Sequence, residues 1–149
     1  MLQKCKNMLR NEKGLTLIEL LAVVVILGII AAIAIPSIGG LIENSKKDAQ
    51  VANAQQMISA GKLVLVNSPD LATDGKITLK ELIDNNYIDE FSNPQKGEYN
   101  EEGSYLVISE DKISGVILLA SVGTTNYGIY GSDTTSPVAI SELNRSSVK

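Results

Sequence analysis

Residues 15–35 read LTLIELLAVVVILGIIAAIAI, and Glu19 is the only charged residue among them. Lys13-Gly14 precedes the run and Pro36 follows it. A stretch of this length is enough to cross the hydrocarbon of a bilayer as a helix. A carboxylate inside such a span is costly, so Glu19 needs a specific explanation. It stands five residues after Gly14, and that spacing governs how the rest of the chain is read.

Three fates of the run compete. A secretory signal would have an apolar core of about 7–15 residues and a small-residue cleavage site after it. Ala31-Ala32 or Ala34 could serve as that site, but Glu19 interrupts what should be a purely apolar core. An uncleaved single-pass anchor is the second reading. Cleavage after Gly14, which removes a short basic leader and keeps the whole apolar run, is the third and accounts best for the position of the acid.

Charge is partitioned along the chain. The leader 1–14 carries Lys4, Lys6, Arg10 and Lys13 against Glu12, whereas the remainder has 9 basic and 16 acidic residues. Positive flanks stay on the cytoplasmic side, so the N-terminus is expected inside and the body outside. An acidic body also argues against direct nucleic-acid binding, which requires Lys and Arg to neutralise phosphates. The chain has no His and no Trp, and its only cysteine, Cys5, lies in the leader. A chain starting at Leu15 would therefore form no disulfide and no Cys/His metal site. Catalytic triads and thiol chemistry are excluded on the same ground, so no catalytic residue, cofactor or metal is expected and the chain is not read as an enzyme.

Beyond Pro36 the helical pattern resumes. Ile38, Leu41, Ile42, Ser45, Ala49, Ala52, Gln56, Ser59 and Leu63 follow three- and four-residue steps and predict a thin contact stripe rich in Ala and Ser. Together the two segments predict one helix over 15–66, its first half (15–36) hydrophobic and its second (37–66) amphipathic. Asn67-Ser68-Pro69-Asp70 ends it. In the outer region 67–149, Thr78 and Glu81 match a capping box opening a short helix that buries Leu79, Leu82 and Ile83. Residues 92–97 read as a loop. SYLVIS (104–109) and KISGVILLAS (112–121) predict two strands joined at Glu110-Asp111, with a third over 126–130, and the polar stretch 134–149 reads as one edge strand near Val138 and a loose tail. The fold class expected is α+β: a long N-terminal helix packed on a small antiparallel sheet.

The N-terminal third resembles type IV prepilins and the related pseudopilins. The residues that carry the resemblance are Lys13-Gly14, then Leu15-Thr16-Leu17-Ile18-Glu19, with Gly28 and Pro36 at helix-weakening positions of the apolar helix. It covers about residues 10–50. Leu15 stands where Phe is more typical, and the C-terminal disulfide of many pilins has no counterpart here. The resemblance implies cleavage between Gly14 and Leu15, N-methylation of Leu15 by a prepilin peptidase, and an ATP-driven membrane assembly platform. It implies a homopolymer, or a filament shared with other pilins, that forms from a membrane precursor and becomes an extracellular pilus (fimbrium). A pseudopilin of a competence or type II secretion system is the alternative within the family. A membrane-anchored extracellular binding module that never polymerises is the alternative outside it.

The chemistry of the anchor stands apart from the resemblance. Cleavage after Gly14 creates an α-amine on Leu15 that is largely protonated near neutral pH. In lipid that cation needs a partner, and Glu19 is the carboxylate of the span. Positions 15 and 19 share a helix face, so the pair can form within one chain. With an axial stagger, one chain's amine can instead meet Glu19 of another, which makes the acid a register pin for assembly. Gly28 and Pro36 weaken the helix between them, compatible either with a kinked membrane helix or with local melting in a packed filament.

Two further signals are weak. Asp70, Asp74, Gly75 and Glu81 occupy positions of a calcium loop, but Ala72 stands at its third position, and a turn into a capped helix is the better account. Asn144-Arg145-Ser146 forms a glycosylation sequon by pattern alone.

Overall fold

A computed structural model describes residues 16–72 and 74–149. Gly14, Leu15, the leader and Cys5 lie outside the described residues. The chain divides into two compact units with the boundary between Ile42 and Glu43. Helix α1, Leu17–Asn67, contributes its first part to one unit and its second part to the other. It starts where the Thr16 carbonyl accepts from the amides of Glu19 (2.8 Å) and Leu20 (3.1 Å). It ends just before Ser68-Pro69, since the residue preceding a proline is pushed out of the helical region. Gly28 and Pro36 both lie inside α1, which is continuous across them.

The second unit is built on an antiparallel sheet. Strands β1 (Lys76–Thr78), β2 (Tyr105–Ser109), β3 (Lys112–Val122) and β4 (Thr125–Ile129) follow one another in the order β1-β2-β3-β4. A two-residue strand β5 (Val138–Ala139) pairs with Gly115 and Val116 of β3. Those two residues also pair with β2, so β5 prolongs the line of β4 rather than forming an outer edge. The β2–β3 hairpin turns at Glu110 and Asp111, both in the left-handed region (φ 53° and 58°), as a two-residue turn matched to strand twist requires. Between β1 and β2, helix α2 (Leu79–Asp84) opens with a complete capping box. Thr78 accepts from the Glu81 amide, and the Glu81 carboxylate accepts from the Thr78 amide at 2.7 Å. Leu79 and Leu82 are buried, and Ile83 packs against the core from a half-buried position.

The core lies between the sheet and the second part of α1. Ala54, Met57, Ile58, Ala60 and Val64 from the helix meet Ile77, Leu106, Ile113, Val116, Leu118 and Ile129. Gly61 is the point of closest approach: a Cβ there would overlap the Cδ1 atoms of Leu106 and Ile113. The row expected as a contact stripe is not the row that meets the sheet. Ala52, Gln56, Ser59 and Leu63 face solvent, Leu63 with 54% of its surface exposed. Two rows of α1 have the same three- and four-residue spacing, and the sheet takes the row carrying Met57, Ile58 and Val64. Burying the other row would have placed Gln56 and Ser59 in an apolar core.

Polar bonds then fix the loops to α1 and close the C-terminus. Gln50, fully buried, donates to Asn93 Oδ1 at 2.8 Å, and Asn53 donates to the Ser92 carbonyl and to Tyr99 Oη. Burial raises the Tyr99 hydroxyl's pKa above its ordinary value, partly offset by that bond from Asn53. Val148 is buried in the core, and Lys149 exchanges both backbone bonds with Gly128 (2.9 and 3.1 Å). Lys149 Nζ also bonds the Gly131 carbonyl and lies over the Tyr130 ring. Arg145 reaches back to Asp48 of α1 with two bonds, Nε to Oδ1 at 2.7 Å being one of them. The C-terminal segment, expected as a loose tail from its polar composition, is thus held by one buried apolar side chain, a β-bridge and an ion pair.

Candidate processing and assembly site

The site is an end of a helix. Glu19 stands in the first turn of α1, where a negative side chain is favoured by the helix dipole. The side chains around it are exposed, Leu17 at 87% and Ile18 at 73%. The most apolar 18-residue stretch of α1 has a mean hydropathy of 3.0, and none of it is buried within the chain. Among the described residues this is the one helix long and apolar enough to cross a membrane. Its β-branched content is no obstacle, because in lipid the helix is the conformation that satisfies every backbone donor and acceptor locally. A Cβ at Gly28 would meet nothing within 4 Å, so no contact among the described residues calls for glycine there. Pro36 likewise sits in an exposed turn of the helix.

Of the predicted site residues, the described part of the chain therefore places Glu19, Gly28 and Pro36 along one exposed apolar helix. Gly14 and Leu15, the expected cleavage pair, precede the described residues. Residues 9–35 match the family model described as the prokaryotic N-terminal methylation motif. That motif is the class III signal peptide of type IV pilins and pseudopilins. Over these residues the chain is similar to pilins and pseudopilins. The matched stretch runs into a helix long and apolar enough to cross a membrane, and the second unit is a small α+β body. No curated protein and no solved structure gave a significant match.

The remaining sequence signals are placed as follows. In the 70–81 interval, Glu81 is engaged by the Thr78 amide and hydroxyl, and Asp74 accepts from the Lys76 amide. The interval contains strand β1, which its turn-like composition did not announce. Among the described residues no three His, Cys, Asp or Glu side chains gather where they could hold a metal. Asn144 of the sequon spends its side chain as a cap, accepting from the Ser146 amide at 2.8 Å and donating to the Glu142 carbonyl at 2.9 Å. Of the carboxylates of the second unit, Glu102 pairs with Lys80 at 3.2 Å, which raises the lysine's pKa. Glu110 and Asp111 form the hairpin turn. Glu98 and Glu101 line a cleft of about 400 Å³ with Phe91 and Tyr99, whose rings meet edge to face at 5.3 Å.

Sequence reasoning missed Gln50. Its Oε1 atom is buried and has no hydrogen-bond partner among the described residues. A glutamine between Asp48 and Val51 looks like any solvent-facing helix residue, and only the loop carrying Asn93 makes it interior.

Proposed function

We propose that the chain is a structural subunit of a type IV pilus or pilus-like filament, cut after Gly14 and polymerised through α1. The observation that supports this reading best is Glu19: the lone charge of the apolar run 15–35, five residues beyond the glycine of the matched motif. Before assembly the precursor is a single-pass membrane protein with its N-terminus in the cytoplasm. Lipid solvates its apolar helix at this stage. After cleavage, helices of neighbouring copies replace lipid around the same surface, and the α-amine of Leu15 finds Glu19 of an adjacent copy. Forming that pair in low dielectric sets register more than it adds net stability. The chain itself performs no chemistry in this account. A prepilin peptidase cuts and methylates it, and an ATP-driven platform assembles it. Polymer subunit and pseudopilin of a secretion or competence machine remain variants of one role, distinguished by abundance in sheared material.

Glu19→Ala tests the assignment. The expected result is a variant that enters the membrane and is cut after Gly14, yet leaves no polymer in sheared surface material. Polymer in wild-type amounts from Glu19→Ala would remove the register role.

A further inference from the structure

Gly39 and Gly40 stand side by side in an exposed turn of α1, and a Cβ at either would meet nothing within 4 Å. Lack of room does not explain them, in contrast to Gly61, where Leu106 and Ile113 leave no space. Each weakens a helix relative to alanine through its backbone entropy, and the two act in one turn. Just before the pair, Pro36 lacks the amide that would reach the Ala32 carbonyl, so the turn leading into it is already one hydrogen bond short. Tertiary support begins only later. Among the described residues, Asp48 is the first side chain of α1 to bond outside the helix, to Arg145, and Gln50 is the first to be buried. Residues 36–47 are thus held as a helix chiefly by their own backbone hydrogen bonds.

Gly28 is just as free of neighbours but differs in its surroundings. It lies seven residues inside the Ile35 end of the apolar run, roughly 10 Å deep when the run spans a bilayer. A backbone group released there has no water to bond, so lipid holds the helix closed at Gly28. Ser37, Gly39, Gly40 and Glu43 lie beyond the run, where water takes up freed donors and acceptors. The pair also falls just ahead of the boundary between the two compact units, which follows Ile42.

We propose that Gly39-Gly40 is a hinge: in the membrane-anchored precursor α1 opens at this pair, outside the lipid, while its span stays helical through Gly28. The inference rests on the anchored precursor of the filament reading. It places the weak point after Pro36, not between Gly28 and Pro36. Opening there lets the second unit change direction against a span fixed in lipid, so a subunit can meet an assembly partner without tilting its anchor.

Distances between paired spin labels test it, on the full-length Cys5→Ser chain in lipid nanodiscs. Leu20→Cys with Ile33→Cys spans Gly28, and Ile33→Cys with Lys46→Cys spans Pro36 and the glycine pair; all three positions are exposed. Each pair is thirteen residues apart, so an unbroken helix gives both the same separation, about 20 Å along its axis. The expected result is one narrow distance for the first pair and a distribution about twofold broader for the second. Gly39→Ala with Gly40→Ala is expected to narrow the second to the width of the first, although Pro36 remains. Two equally narrow distributions without the alanines overturn the hinge. Breadth that survives both alanines belongs to Pro36 and overturns the role of the glycines. A water-borne nickel chelate that relaxes a label at Ile26→Cys would show that the span is not in lipid, which overturns the anchored precursor and the hinge with it.

Discussion

Helix α1 solves two different solvation problems along its length. From Leu17 to Ile42 its apolar side chains are exposed on every face, and none of its most hydrophobic stretch is buried within the chain. From Gln50 to Val64 one face is buried to completion against a sheet, while the other carries Gln55, Gln56, Ser59 and Lys62 into water. Amphipathicity is the signature of a helix that finds its partner inside its own chain. Uniform apolarity is the signature of one that finds it elsewhere. The second unit therefore buries a core of its own, whereas the N-terminal part leaves its apolar surface exposed within the chain.

The contrast breaks most sharply if the two parts respond alike to substitution. The largest effect expected is from Glu19→Ala, which removes polymer while the thermal or chemical unfolding of the outer unit stays as in the unaltered protein. Leu106→Ala should do the reverse. It opens a cavity beneath Met57 and Gly61 and costs about 3 kcal/mol in denaturant unfolding, with membrane insertion and cleavage unaffected. A smaller loss follows Thr78→Ala, about 1 kcal/mol, because the capping box at α2 loses its side-chain acceptor. The smallest is at Asp48 and Arg145, an exposed pair seen best in acid. The side-chain bonds from Arg145 hold the Asp48 carboxyl below its ordinary pKa. A group depressed on folding contributes stability above its unfolded value and loses it as pH falls through the folded one. Arg145→Ala should then destabilise slightly at neutral pH and match the unaltered protein once pH is well below about 4, where the carboxyl is protonated in both states. An undiminished difference at that acidity would show that Arg145 acts through packing.

Local chemistry was legible in the sequence, and long-range choice was not. The capping box at Thr78 and Glu81 and the tight turn at Glu110-Asp111 depend on neighbours a few residues away, and both stand where the sequence placed them; the left-handed φ of the two turn residues is set by the hairpin rather than by their types. The apolar run with its single acid was equally plain. The buried face of α1 was not, since both rows have helical spacing and only the sheet decides between them. Strand β1 was hidden because three residues owe their extended form to backbone pairing with Tyr105, Leu106 and Val107, a contact across some thirty residues. Strand β5 sits in line with β4 instead of at an edge because β3 is long enough to pair with both. Gly61 reads as a weak helix residue until its closeness to Leu106 and Ile113 is seen. Of the candidate site, Glu19, Gly28 and Pro36 were readable because each is an exception within a uniform background, and exceptions need no partner to be noticed.

The central claim is that this anchor is cut after Gly14 and then withdrawn from lipid into a polymer. Intact mass with N-terminal sequencing, on sheared surface material and on membranes in parallel, tests it most directly. The account predicts a chain beginning at methylated Leu15 in the sheared fraction. A chain that keeps Met1 and stays wholly in the membrane fraction would contradict it and leave a plain single-pass anchor.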